Sequence, residues 1–146
     1  YRDGDLFTSE AGAIGHGVNV DGLMGHGIAV EFRKRWPDMY TAYKQQCISG
    51  TLEPGGLMAW READGEQMVF NIASQDRPGK NAKLEWLYWG VTRALWVCDK
   101  ENIPVLALPR IGAGIGGLNW EDVKNVLETA AASYTADIEV WTKADA

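Results

Sequence analysis

Two glycine-rich segments, each lying between an apolar run and an amphipathic run, constrain this fold more than any other feature. The first covers residues 19–27 and the second residues 109–117. The apolar stretches before them, 13–18 and 104–108, have the length of buried strands, and helical periodicity follows each loop. Open α/β sheets bind ligands at the carboxyl ends of their strands. If their strands run parallel, both loops are therefore expected to face one crevice.

The rest of the chain predicts a mixed sheet covered by helices on both faces. Apolar runs at 57–60 and 68–72 flank Asp64-Gly65, a strong hairpin-turn signal, so two antiparallel strands are expected there. A short edge strand near the N-terminus and a final strand over 137–142 complete the sheet. Amphipathic helices are predicted over 28–36, 38–49, 84–98 and 120–134, the last with Asn119 as its N-cap. We expect a single domain over residues 1–146.

Composition narrows the function classes. The net charge of −6 argues against a broad basic face for phosphate backbones, although a small anion held by backbone amides remains compatible with it. Cys47 and Cys98 lie far apart without metal-ligand spacing, so neither a disulfide framework nor a metal site is expected, and a reducing cytoplasm is the default compartment. No apolar run reaches the ~20 residues that span a bilayer, and no membrane association is expected. The seven tryptophans lie mostly on helix faces and are expected in the core.

The glycine loops suit phosphate. Glycine leaves backbone N–H groups unshielded, and the following helix adds its partial positive charge, so two such loops suit a diphosphate. A purely structural turn is the alternative for either loop alone. Gly112, Gly114 and Gly117 also satisfy Gly-x-Gly-x-x-Gly, but a dinucleotide-binding unit usually opens its fold, whereas this loop lies in the last strand–helix unit. No P-loop motif occurs.

Five polar residues are candidates for chemistry. His16 lies within an apolar strand, where a hydrogen-bonded core role competes with catalysis. His26 stands at a helix start and could contact a phosphate or ribose. Asn19 and Asp21 flank the same loop, where turn formation competes with ligand contact. Asp5 could cap a turn or accept a hydrogen bond from an exocyclic amine. No serine elbow or cysteine signature occurs, so covalent catalysis has no obvious nucleophile.

Four motifs carry a family resemblance: Gly4-Asp5-Leu6-Phe7, His16-Gly17-Val18-Asn19, Met24-Gly25-His26-Gly27-Ile28-Ala29, and Pro109-Arg110-Ile111-Gly112-Ala113-Gly114 through Leu118-Asn119-Trp120. Together they resemble the macrodomain family. The resemblance is closest to the branch of the terminal ADP-ribose glycohydrolase, the antitoxin that strips ADP-ribose from DNA, and the yeast-type ADP-ribose-1″-phosphate phosphatase.

The resemblance implies a three-layer α/β/α sandwich with a mixed central sheet, no cofactor, and ADP-ribose in the crevice. The adenine would lie at the first motif, the distal ribose and a phosphate at the 24–28 loop, and the diphosphate at 112–117. Asn19 would lie against the distal ribose. The residues that it implies for ligand binding are Asp5, Leu6, Asn19, Met24, Gly25, His26, Gly27, Ile28, Ser74, Gln75, Ile111, Gly112, Ala113, Gly114, Ile115 and Gly116.

Two departures from the family pattern bear on mechanism. Glycohydrolase members carry a lysine after threonine at the end of the strand that matches 68–72, where this chain has Gln75 after Ser74. Glutamine neither forms a Schiff base nor acts as a general base. The eukaryotic glycohydrolase also carries an aspartate where this chain has Gly116. Both parts of a lysine–aspartate mechanism are absent, and Lys80 and Lys83 are expected on the surface.

The sequence therefore predicts an ADP-ribose-binding domain that hydrolyses an ADP-ribose derivative by water attack, such as the 1″-phosphate or an ADP-ribosyl ester. His16 and Asp21 rank first as proton carriers, ahead of His26 and Asp76. The alternative is a reader module that binds ADP-ribose, or an ADP-ribosylated molecule, and catalyses nothing. Free nucleotide, protein and DNA adducts are all compatible with these motifs. A Rossmann oxidoreductase ranks third.

Overall fold

A computed structural model of the chain describes residues 1–63, 65–114 and 116–143. Its strands and helices follow the predicted order closely, with a short 3₁₀ helix, Leu6–Thr8, near the start. The bounds are β1 Arg2–Asp3, β2 Ala13–Val18, α1 Ile28–Arg35, α2 Pro37–Ile48, β3 Leu57–Trp60, β4 Met68–Ala73, α3 Leu84–Lys100, β5 Val105–Pro109, α4 Trp120–Ala131 and β6 Asp137–Thr142.

The strands form one sheet in the order β1-β6-β5-β2-β4-β3. Every neighbouring pair runs parallel except β3 and β4, which form the predicted antiparallel pair. Asp64 of the predicted turn lies outside the described residues. Because β2 pairs directly with β5, the two glycine loops leave the sheet side by side, which confirms that they share one edge.

Each face of the sheet carries its own apolar core. α3 and α4 cover one face, and α1 and α2 cover the other, so the predicted three-layer sandwich is confirmed. The first core includes Phe70, Leu87, Leu95, Leu106, Val123 and Leu127. The second includes Ile14, Phe32, Met39, Tyr43, Met58 and Val69.

Local signals set the helix ends. The Asn119 side chain accepts hydrogen bonds from the amides of Glu121 at 2.9 Å and Asp122 at 3.3 Å, which confirms it as the N-cap of α4. Pro37 begins α2, where its missing N–H costs no helical hydrogen bond. None of the helices in the described ranges has the length and apolarity that a bilayer-crossing segment needs.

The expectation that the tryptophans lie in the core is only partly confirmed. Four of the seven are partly buried and pack against the two cores, whereas Trp89 and Trp96 are 48% and 54% exposed. On α3 the buried face is taken by smaller apolar side chains such as Val91 and Leu95. Arg93 and Lys100 instead lie over the indole rings of Trp89 and Trp96 at 5.7 and 5.0 Å, a cation–π arrangement typical of a solvent-facing side.

Close packing of α3 on β4 depends on Gly90. A Cβ at this position would lie 2.5 Å from Cγ2 of Ile72. We expect Gly90→Ala to lower the free energy of unfolding by about 1–3 kcal/mol, because overpacking outweighs the gain in helix propensity. Urea denaturation followed by tryptophan fluorescence measures this. Ala substitution of exposed Glu85 in the same helix is the control and should change stability by less than about 0.5 kcal/mol. An equally stable Gly90→Ala protein would contradict the packing argument.

Candidate functional site

A cavity of about 570 Å³ opens at the carboxyl ends of β2 and β5. The first glycine loop, the second glycine loop and a third segment over 75–79 form its walls. A second cavity of about 590 Å³ continues from it toward the 3₁₀ helix and β6. Gly27, Ile28, Pro109 and Arg110 line both, so the two cavities form one crevice with two lobes.

Most of the predicted ligand-binding residues lie in this crevice. Those lining the first lobe are Asn19, Met24, Gly25, His26, Gly27, Ile28, Gln75, Ile111, Gly112, Gly114 and Gly116. Asp5 and Leu6 line the second lobe. The residues that line neither are His16, Asp21, Ser74 and Ala113. Ile115 lies outside the described residues.

Asn19 holds the first loop in shape. Its Oδ1 accepts from the amides of Asp21 at 3.0 Å and Leu23 at 3.3 Å, and its Nδ2 donates to the Leu23 carbonyl at 2.9 Å. The Tyr43 hydroxyl donates to the Asn19 carbonyl at 2.6 Å. Of the two roles that the sequence left open for Asn19, the turn-forming one is present in the structure, and the residue also lines the first lobe.

Backbone geometry requires glycine at several positions of the second loop. Gly112 and Gly117 have φ values of +76° and +79°, and a Cβ on Gly116 would lie 2.7 Å from the Gly112 carbonyl oxygen. Gly25 and Gly114 differ from these, because a Cβ on either would meet no atom within 4 Å and neither has a positive φ. Backbone conformation and packing therefore explain why residues 112, 116 and 117 are glycines. They do not explain why residues 25 and 114 are glycines.

Both glycine loops that line the crevice carry backbone donors without a partner. Within the described part of the chain, the amides of Gly25, Gly27, Gly112 and Gly114 donate to no other group. Gly27 is also the N-cap of α1, and it supplies no side-chain cap. Unpaired N–H groups at the start of a helix attract anions. The geometry suits negatively charged oxygens placed between the two loops.

Gln75 occupies the third wall. Its side chain is 9% exposed, and its Nε2 donates to the Gly79 carbonyl at 2.6 Å, which fixes the 75–79 segment. Its Oε1 accepts no hydrogen bond from the described residues. Lys80 and Lys83 do not line either lobe, and Lys83 lies 4.6 Å from the ring of Trp86. Within the described residues no lysine lines the first lobe, and Lys143 is the lysine that lines the second.

His16 lies in the core beneath the crevice. Its ring is fully buried and stacks on Phe32 with centroids 3.7 Å apart. Nε2 lies 2.7 Å from Oδ1 of Asn71, which requires Nε2 to carry the hydrogen, and buried Nδ1 has no partner among the described residues. Burial lowers the pKa of His16 to about 4. This geometry corrects the expectation of a catalytic His16, because the buried ring lines neither lobe, and favours the core role that the sequence left open.

Asp21, the second expected catalyst, is solvent-exposed and outside the crevice lining. The backbone amide of Asp21 donates a hydrogen bond to Oδ1 of Asn19, so the role of Asp21 in this loop is carried by its backbone. The structure therefore brings neither expected proton carrier into the crevice. His26 does lie there and is exposed.

Several lining residues of the first lobe escaped prediction, among them Leu23 and Arg110. Arg33 on α1 and Tyr40 on α2 both line the first lobe. Tyr40 lies outside the apolar stripe formed by Met39, Tyr43 and Cys47. An aromatic residue off the buried face of α2 was therefore the sequence signal that could have placed Tyr40 at the site. In the described ranges no group of three or more His, Cys, Asp or Glu side chains has the geometry to hold a metal ion.

Protonation of His16 should destabilise the fold in acid. The pKa of His16 falls from 6.5 in the unfolded chain to about 4 in the folded one, so protons bind the unfolded chain more readily. The full free energy of unfolding is therefore present above pH 6.5, and part of it is lost as the pH falls toward 4. Wild type should lose about 3 kcal/mol relative to His16→Gln between pH 7 and pH 4. Urea titrations at each pH measure the difference. His26→Gln is the control and should follow wild type; parallel pH profiles for wild type and His16→Gln would contradict the prediction.

The chain resembles known proteins over most of its length. A family model described as Macro domain matches residues 16–127. The DNA ADP-ribosyl glycohydrolase of Mycobacterium tuberculosis is 34% identical over 132 residues, covering 89% of this chain and 38% of that protein. The chain thus spans about two fifths of that relative's length. The ADP-ribose glycohydrolase OARD1 of Homo sapiens is 29% identical over 143 residues, covering 97% of this chain and 90% of that protein.

Among solved structures, the macrodomain of Mycobacterium tuberculosis DarG superposes with a TM-score of 0.87. It is 32% identical in sequence, and the alignment covers 97% of this chain and 95% of that one.

Proposed function

Since this chain belongs to the macrodomain family, we propose that it binds ADP-ribose in the two-lobed crevice and hydrolyses an ADP-ribose derivative there. One observation carries the binding part. Gly25 and Gly114 line the first lobe from the two glycine loops, a Cβ on either would meet open space, and their amides are unpaired among the described residues. A diphosphate between the loops accounts for both facts, because its oxygens need donors and close backbone approach.

The second lobe suits the adenine. Asp5 accepts the Phe7 amide on Oδ1 at 3.0 Å, which leaves Oδ2 for an exocyclic amine. Phe7 and Trp141 provide flat apolar walls in the same lobe. The distal ribose then lies in the first lobe, against Met24 and the loop braced by Asn19.

The lining of the first lobe supports attack by water. Gln75 lacks the amine of a lysine nucleophile, but its free Oε1 can accept a hydrogen bond from a water molecule. For ADP-ribose-1″-phosphate, the water oxygen bonds to phosphorus, the bond between phosphorus and the 1″ oxygen breaks, and that oxygen takes a proton. The products are ADP-ribose and inorganic phosphate. The unpaired amides of the glycine loops stabilise the charge that develops on the phosphoryl oxygens.

His26 is the proton carrier in this proposal. One proton leaves the water and one reaches the 1″ oxygen, so a single imidazole can serve both steps. His26 is the one histidine, aspartate or glutamate that lines the first lobe in the described ranges. The names of the mycobacterial and human relatives, both glycohydrolases, support a hydrolytic role.

A non-catalytic reader is the second candidate. The amide of Gln75 favours this candidate, because it supplies neither a nucleophile nor a general base. A phosphate-release assay with ADP-ribose-1″-phosphate separates the two candidates, since a reader binds ADP-ribose without turnover. Calorimetry with ADP-ribose and with AMP tests binding itself, because AMP lacks the β-phosphate and the distal ribose. No ADP-ribose binding would overturn both candidates.

Filling the open space should abolish binding and spare the fold. We expect Gly25→Val and Gly114→Val each to weaken ADP-ribose binding at least about tenfold, or 1.4 kcal/mol, because the new side chain occupies ligand space. Their thermal midpoints should stay within about 3 °C of wild type, which separates them from Gly112→Val, where the positive φ adds strain. Calorimetry and thermal unfolding measure the two effects. Unchanged affinity in both variants would contradict the assigned diphosphate position.

Removing the imidazole of His26 should slow chemistry more than it weakens binding. We expect His26→Ala to lower kcat for 1″-phosphate release about 10²–10⁴-fold, the usual contribution of a general acid–base group. Affinity for ADP-ribose should change less than about fivefold. Asp76→Ala, a neighbouring carboxylate outside the lining, is the control and should keep its kcat. Equal kcat in His26→Ala and wild type would remove His26 from the mechanism.

A further inference from the structure

Two large aromatic side chains on α3 point toward solvent. Trp89 and Trp96 are 48% and 54% exposed, although burial of an indole is favourable. Exposed apolar side chains that cluster on one surface mark an interaction site more often than scattered ones do. Tryptophan is also enriched among the residues that contribute most to protein–protein binding. The outer face of α3 is therefore a candidate interaction surface.

One helical stripe carries both indoles. At 3.6 residues per turn, the exposed residues of α3 fall within an arc of about 80°. They are Glu85, Trp89, Arg93, Trp96 and Lys100, and we call them the α3 stripe. None of the five lines either lobe of the crevice. The stripe is therefore separate from the candidate ligand site.

The two ends of the α3 stripe carry opposite charges. Glu85 lies in the first turn of the helix and Lys100 in the last. Neither side chain forms an ion pair with a described residue. Lys100 contacts the ring of Trp96, with its ammonium 5.0 Å from the ring centroid. Both end charges are therefore available to a group outside the chain.

The spacing of the α3 stripe makes it complementary to itself. Glu85 and Lys100 have the same midpoint along the helix as Trp89 and Trp96, between residues 92 and 93. A two-fold axis through that point pairs α3 with α3 of a second copy in the antiparallel direction. Each Glu85 then lies opposite Lys100 of the second copy, and each Trp89 lies opposite Trp96 of the second copy. A two-fold interface requires this reciprocal pairing.

Arg93 lies nearest to this axis, where two like charges would meet. Its Nη1 donates to the Gly55 carbonyl at 3.0 Å, and its guanidinium lies 5.7 Å from the ring centroid of Trp89. Both contacts hold the guanidinium against its own chain. The two arginines therefore do not have to approach each other when the helices pair.

We propose that two copies of this chain associate through the α3 stripe, with four indoles at the centre and two Glu85–Lys100 ion pairs at the ends. The association does not depend on the proposed function. The helix is about 25 Å long and about 10 Å wide, so the contact is smaller than the roughly 800 Å² per partner of a standard interface. We therefore expect a weak dimer that forms at high concentration, while the chain in dilute solution is a monomer. A polyanion matches the stripe less well, because Glu85 would face its negative charges.

A charge swap tests this pairing. Sedimentation equilibrium of the chain over a range of concentrations measures the dimer dissociation constant. Glu85→Lys and Lys100→Glu each place like charges opposite each other at both ends of the dimer, and each should weaken dimerisation about tenfold. The double variant Glu85→Lys/Lys100→Glu restores opposite charges and should dimerise like wild type. Trp96→Ala should also weaken dimerisation, because it removes two of the four central indoles.

Lys34→Glu is the matched control for charge reversal. Lys34 is exposed on α1, which covers the opposite face of the sheet, so this variant should dimerise like wild type. A monomer at every concentration would overturn the proposal and leave a different protein as the occupant of this face. A dimer that both single reversals leave unchanged would overturn the α3 stripe as its interface. A double variant that dimerises no better than the single ones would overturn the antiparallel pairing.

Discussion

The rest of this structure depends on how closely neighbouring side chains approach the central strand β2. Gly15 and Gly17 present no side chain to the layer of α3 and α4, so Leu108 and Ile111 pack where a Cβ would stand 3.0 and 3.1 Å away. The opposite face of β2 carries larger residues, among them His16, which stacks on α1. With β2 paired to β5 and β4, three loops leave the sheet at one edge. The crevice follows from that convergence.

In the proposed function, backbone amides of the glycine loops and the start of α1 hold the negative charge of the diphosphate. An acidic chain can thus offer an anion site without a broad basic surface. Such donors are fixed by the fold and do not titrate. Charged and polar side chains also line the crevice, with Asp5 in one lobe, His26 and Arg33 in the other, and Arg110 in both. The shared middle can therefore serve one common ligand part while the ends set which derivative fits.

Local patterns predicted nearly all of the framework, since hydrophobic period, the Asn119 cap and the glycine loops act over a few residues. The roles of His16 and Asp21 depended on tertiary neighbours and were not predictable in the same way. His16 is buried by Phe32 and hydrogen-bonded to Asn71, which lies 55 residues away in sequence. Trp89 and Trp96 were misassigned because helical position does not reveal which side meets water. The approach of Tyr40 to the crevice depends on how α2 packs, which periodicity leaves open.

The two histidines lie in such different surroundings that each one reports on a different event in the protein. His16 is sealed in the core with a pKa of about 4, while His26 stands exposed in the crevice. Their imidazole proton resonances therefore describe different events. One responds to the integrity of the layer between the sheet and α1, and the other to occupancy of the crevice. A single spectrum can then distinguish a ligand that binds from a condition that loosens the fold.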